Sequence, residues 1–154
     1  NFLDDWNKAK QLSRFCWIAH PAGWCPKTFY TQQQIEELFL INDGFAMEIL
    51  NGVFKVTDVY DEWQAGSVSL WDRLLCAGKR VTAVGGSDVH FAAGIGCAWT
   101  GLLETELSRN DVLAGLNAGR TMVSEAPLLK LVLNGVTPGG ELKIKANDKI
   151  EIEI

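Results

Sequence analysis

Three times within the first ninety residues, a helical pattern runs into an apolar segment of strand length that stops at polar residues or glycine. The segments are Phe15 to Ala19, stopped by His20 and Pro21; Phe45 to Leu50, stopped by Asn51 and Gly52; and Arg80 to Val84, which continues into Gly85-Gly86-Ser87-Asp88-Val89-His90. A continuous apolar run between helices reads as a strand covered on both faces, because a half-solvated strand would alternate. Strands that alternate with helices pair in parallel, the helix supplying the crossover. An α/β fold follows, either a barrel or a doubly wound sheet.

The helices have their own punctuation. Residues 4–14 begin with acids and end with a base, which suits the helix dipole, and place Trp6, Ala9 and either Leu12 or Ser13 on one side. Thr31 and Gln34 form a capping box for a helix through Ile35, Leu38 and Phe39 to about Ile41. Asn42-Asp43-Gly44 is a turn signal before the second strand. Ser69 to Ala77 is a further helix with Leu70, Leu74 and Ala77 on one face and Gly78 as its stop. Ser108 and Asp111 open the last helix, which runs to about Ala118 and ends at Gly119. From Pro127 the texture changes to alternating strands and turns with no helical period. The chain therefore divides near 124–127 into an α/β unit, 1–126, and the beginning of a small all-β unit, 127–154. It opens on Asn1 rather than Met and closes within the alternation KIEIEI, so both ends are expected to be cuts in a longer protein.

Composition narrows the function. The 154 residues carry a formal charge of −5 and no Lys/Arg run longer than Lys79-Arg80, which disfavours nucleic acid as a partner. The uncharged stretch 91–103 is broken by glycines and falls short of the ~20 apolar residues of a membrane span. Cys16, Cys25, Cys76 and Cys97 form no CxxC pair; reduced, mostly buried thiols in a cytoplasmic protein are expected. There is no phosphate-binding loop or dinucleotide fingerprint, and Ser87 lacks the following glycine of a nucleophile elbow.

The chemistry concentrates at strand ends. The two histidines of the chain, His20 and His90, each follow a strand, and the carboxyl ends of parallel strands form the active face of such folds. If the third strand stays extended, Asp88 and His90, two apart, point to one side. Gly85 and Gly86 let the backbone pass close to neighbouring groups, and Ser87 can brace the turn. A carboxylate and imidazoles from separate strands suit Mn²⁺, Zn²⁺ or Fe²⁺; an Asp–His hydrogen bond in a loop is the plainer reading. Glu48, an acid inside a buried strand, can ligate a metal, orient a histidine or pair with an arginine. Period-two alternation puts it on the face of Ala46 and Leu50.

The order IAHPAGW, MEILNG, WDRLLCAGKRVTAVGGSDVH and LSRNDVLAGLNAGRTMVSEAP resembles the PHP (polymerase and histidinol phosphatase) superfamily of metallohydrolases, most nearly its carbaryl-hydrolase-like branch, over roughly residues 1–127. The resemblance implies the C-terminal part of a distorted (β/α)₇ barrel, followed by the start of an appended β domain. It implies two or three divalent ions in the full-length protein, with His20, Asp88 and His90 as metal ligands. Asp88 and His90 are then catalytic, and Glu48 supports them from behind. The family's HxH opening motif is not in this chain, and the remaining ligands are expected upstream.

The expected activity is hydrolysis of a small-molecule phosphoester, or of a carboxyl or carbamate ester, by metal-activated water. Arg120, after Gly119, is a candidate for an anionic substrate group, with a loop-pinning ion pair as the alternative. The rival expectation is a catalytically inactive scaffold of the same type used for binding or assembly. A third, surface recognition by the terminal β unit, rests only on the alternation after Pro127.

Overall fold

A computed structural model describes residues 1–22, 30–41, 44–52, 61–90, 92–103 and 106–154. The elements run α1 (Phe2–Leu12), β1 (Trp17–Ile18), α2 (Gln32–Ile41), β2 (Phe45–Asn51), α3 (Asp61–Cys76), β3 (Val81–Gly86), β4 (Trp99–Leu102), α4 (Arg109–Ala118), β5 (Thr121–Ser124), β6 (Val132–Leu133) and β7 (Ile152–Glu153). The strands β1, β2 and β3 form a parallel sheet in that order, with Ile18 opposite Met47 and Met47 opposite Ala83. The helix–strand alternation expected for the first ninety residues is present.

The central strand is covered on both faces: Phe45, Ala46, Met47 and Glu48 are all buried. The core gathers Trp6 of α1, Ile18, Ile35 and Leu38 of α2, Phe45, Met47, Leu74 of α3 and Val81. Trp6 meets Phe45 edge-on at 5.9 Å between ring centroids, a favoured aromatic geometry. β1 departs from expectation. It lies at the edge of the sheet, and Trp17 is 51% exposed while Ile18 is buried.

Local signals fix most element ends. Thr31 and Gln34 bond reciprocally as a capping box: the Thr31 amide donates to Gln34 Oε1 at 2.8 Å and the Gln34 amide to Thr31 Oγ1 at 3.2 Å. Ser108 Oγ accepts from the Asp111 amide at 3.2 Å. Gly119 closes α4 at φ +70°, a left-handed cap that costs glycine little. The helix α3 starts at Asp61, eight residues before the expected Ser69. Asn42 and Asp43 of the turn signal lie outside the described residues.

The fold is mixed α/β as expected, and among the described residues the parallel sheet has three strands, too few by themselves to close a ring. Beside β3 lies an antiparallel pair, β4–β5, whose strands are joined through α4 and have no counterpart among the expected elements. Threonines fasten that pair to β3: Thr100 Oγ1 accepts from the Gly85 amide at 2.8 Å and donates to the Gly85 carbonyl at 2.7 Å, and Thr121 Oγ1 donates to the Ala83 carbonyl at 2.8 Å. Beyond residue 127, β6 and β7 pair as a separate antiparallel ribbon. Val132 of β6 is buried, whereas Leu129, Leu131, Ile150 and Ile152 are exposed.

Cys16, Cys76 and Cys97 are free thiols. Contrary to the expectation of burial, Cys76 is exposed at the solvent side of α3, and Cys16 and Cys97 are half-buried; Cys25 lies outside the described residues. No helix among the described residues is long and apolar enough to cross a membrane.

Candidate functional site

The carboxyl ends of β1, β2 and β3 carry His20, Glu48 with Asn51, and Asp88 with His90. His20 and Asp88 share an unusual backbone: φ is +32° at His20 and +47° at Asp88. Non-glycine residues in the left-handed region cost about 1–3 kcal/mol and persist where surrounding contacts hold them. Those contacts are present. The His20 amide donates to Glu48 Oε2 at 2.7 Å, and Asn51 Nδ2 donates to Glu48 Oε2 at 3.3 Å and to Asp88 Oδ2 at 3.1 Å.

A bulge makes this arrangement possible. Glu48 pairs with Val84 but Leu50 with Gly85, so Ile49 is an extra residue on β2. In a regular strand residues three apart face opposite sides; the extra residue returns Asn51 to the side of Glu48. The alternation expected to align Glu48 with Leu50 is broken at the same point.

Helix α3 completes the floor with small and polar side chains. Gln64 Nε2 donates to the Asn51 carbonyl, and Ser67 Oγ accepts from the Ala22 amide at 3.4 Å. A Cβ on Gly66 would stand 3.0 Å from Ala22 Cβ, so the helix approaches the turn after His20 as closely as packing permits. On the other side Ser87 Oγ donates to the Ala98 carbonyl and accepts from the Gly96 amide, both at 3.0 Å. The bracing role expected of Ser87 is therefore exerted on the segment leading into β4.

Asp88 and His90 come together by a turn, not by strand alternation, because β3 ends at Gly86 and Asp88 is left-handed. His90 Nδ1 lies 2.8 Å from the Asp88 carbonyl oxygen and 3.9 Å from Asp88 Oδ1. A carbonyl only accepts, so Nδ1 carries the proton; in the neutral ring the lone pair then sits on Nε2. Metal-binding histidines are commonly oriented by such a bond. His20 Nδ1 is buried with no hydrogen-bond partner. Both rings thus fit a metal, one by tautomer and the other by an unsatisfied buried nitrogen. Among the described residues, however, no group of three or more His, Cys, Asp or Glu side chains stands close enough to hold an ion.

Arg120 is not brought to this cluster. A Cβ on the preceding Gly119 would lie 3.4 Å from Thr82 Oγ1, and the following Thr121 bonds to Ala83. Arg120 is thereby level with the start of β3, four residues or roughly 13 Å from Gly86 at ~3.3 Å per residue. A Cβ on Gly139 would lie 2.9 Å from Arg120 Cγ, so the turn before residue 140 packs against its stem.

Burial pushes the Glu48 carboxyl above its ordinary range, and the charge of Asp88 adds to this; the hydrogen bonds from His20 and Asn51 and the His20 imidazole act against it. Tyr30 responds to the same charge: burial first, then Glu48, raises its hydroxyl. A carboxyl raised in the folded state favours folding most below its unfolded value and loses that contribution as pH rises through the folded value. In chelator-treated protein, Glu48→Gln should therefore raise the melting temperature at pH 7–8 and do so less at pH 4. The amide keeps one oxygen for both His20 and Asn51, which bond to a single Glu48 oxygen. A thermal melt series across pH checks this; an offset that does not change with pH counts against the buried charge.

Comparison with known proteins touches part of this region. Residues 75–121 match a family model described as PHP-associated, which supports an association of the chain with the PHP superfamily. The matched segment contains Asp88 and His90, while His20, Glu48 and Asn51 precede it. Neither the curated proteins nor the solved structures gave a match.

Proposed function

We propose that this chain forms part of a metal-dependent hydrolase of the PHP type, acting on a small-molecule phosphoester or on a carboxyl or carbamate ester as in the carbaryl-hydrolase-like branch. The observation that carries the reading is the convergence of His20, Glu48 and Asp88 on one hydrogen-bonded network at the carboxyl ends of three parallel strands. His20, through its ring, and Asp88 with His90 are the residues that would hold Mn²⁺, Zn²⁺ or Fe²⁺, with further donors from outside the described residues completing a site of two or three ions. Such an ion supplies Lewis acidity and acidifies water near neutral pH. Glu48 fixes the His20 backbone, and the Asp88 carbonyl fixes the ring of His90. Residues 1–126 are read as the C-terminal portion of the barrel and 127–154 as the beginning of an appended β domain, in a cytoplasmic protein.

A scaffold of the same type without catalysis is the second reading, and it is favoured by the lack of a three-residue ligand group among the described residues. The two separate in one experiment. Full-length protein is purified, its bound metal measured by mass spectrometry, and hydrolysis of p-nitrophenyl phosphate and a naphthyl carbamate followed. His90→Ala is expected to lose metal and to slow turnover about a hundredfold or more. Unchanged metal content and rate in that variant would overturn the hydrolase assignment.

A further inference from the structure

Asn51 is a buried polar residue, 4% exposed, whose amide nitrogen faces two carboxylates. Its two hydrogens match two acceptors, Glu48 Oε2 at 3.3 Å and Asp88 Oδ2 at 3.1 Å. Glu48 Oε2 in turn accepts from the His20 amide at 2.7 Å. The chain of bonds is continuous from the turn after β1, through the end of β2, to the turn after β3. Both turns are left-handed at a non-glycine residue, and both would relax toward ordinary backbone if released.

We propose that Asn51 is a positioning residue: its single side-chain amide ties Glu48 to Asp88 and so holds the turns at His20 and Asp88 in one mutual arrangement. The inference rests on the reading above in that the residues it positions are the metal ligands proposed there.

The chemistry of the position is restrictive. An aspartate in place of Asn51 would present a third carboxylate to the other two, and a leucine of similar shape would leave both acceptors without their donor. The backbone is also committed, since the Asn51 carbonyl accepts from Gln64 and the bulge at Ile49 sets the side of the strand on which the amide emerges. Asn51 therefore links α3, β2 and both candidate turns, and it does so without offering a charge of its own.

The test is amide hydrogen exchange on the full, chelator-treated chain, followed by NMR. In the wild type the two Asn51 side-chain protons should exchange slowly and separately, each held by its own carboxylate; rapid exchange of both would overturn the proposal without any variant being made. In Asn51→Leu the His20 amide should exchange about tenfold faster or more, as expected when a hydrogen bond to a charged acceptor loosens. Asp88→Ala, which leaves the core intact, should free one Asn51 proton and accelerate His20 exchange, whereas a His20 amide indifferent to both changes would refute the linkage. On full-length protein, Mn²⁺ titrations of Asn51→Leu should show affinity reduced about 10–100-fold. The exchange measurements need no metal, so they decide the role of Asn51 even if the wild type binds no Mn²⁺, a result that would overturn the hydrolase reading alone.

Discussion

Met47→Ala is expected to lower the unfolding free energy by about 2–5 kcal/mol, the usual cost of emptying a fully buried methionine position. Met47 has no exposed surface, lies on the central strand, and pairs with Ile18 on one side and Ala83 on the other. Phe45 shares its face and reaches Trp6, so the cavity would open where α1 meets the sheet. Such a loss is a large share of the ~5–15 kcal/mol by which domains are stable. Met47→Leu conserves volume and should cost under about 1.5 kcal/mol. Urea denaturation of both variants checks the contrast. An alanine variant no worse than the leucine one would mean that β2 does not sit at the centre of the packed core. The residue after Met47 is Glu48, so the same strand also holds the acid of the candidate site; the alanine variant should loosen that site as well as the core.

The parallel sheet was legible because its strands are written as apolar runs with abrupt polar stops, and burial on two faces leaves little else such a run can be. The caps at Thr31, Ser108 and Gly119 were equally legible, since each depends on contacts within four or five residues. What the pattern hid depends on partners far along the chain. The first half of α3 faces the site through Gln64, Gly66 and Ser67, which are small or polar because they meet backbone amides and carbonyls; a search for apolar spacing finds the helix only from residue 69. β4 and β5 are four residues each, and their attachment to β3 runs through threonine hydroxyls rather than an apolar stripe. Asn51 reads as a strand stop because it stands beside Gly52, and in a regular strand alternation would place it away from Glu48. The bulge reverses that placement, and no residue type in FAMEILN announces it. His20, Asp88 and His90 stand out by their positions after strands and Glu48 as an acid inside a buried one, but the left-handed turns at His20 and Asp88 follow from the network and not from local sequence.

The neighbouring glycines Gly85 and Gly86 make the second large prediction, because identical residues one position apart should respond in opposite ways. A Cβ on Gly85 would lie 2.5 Å from Val123 Cγ1 and 3.2 Å from the Leu50 carbonyl oxygen. Val123 can rotate away only within the β4–β5 pair clamped by Thr100 and Thr121, and the Leu50 carbonyl belongs to the adjoining strand. Gly85→Ala should therefore cost about 1–3 kcal/mol, and Gly85→Val more, as overpacking does. A Cβ on Gly86 would find only Glu48 Oε1, at an ordinary contact distance of 3.8 Å. Gly86→Ala should leave stability unchanged or raise it by up to about 1 kcal/mol, since alanine restricts the unfolded chain. Thermal and urea unfolding of the pair decide between this account and one in which the glycines serve only as flexible turn residues, where both substitutions would act alike. The direction of the Gly86 Cβ adds a consequence for the site. It points at the carboxylate of Glu48, so a bulky residue such as leucine there should spare the core while crowding the space in which Glu48, Asn51 and Asp88 meet. Stability retained in Gly86→Leu together with weakened metal binding in the full-length protein would locate the functional surface on that side of β3.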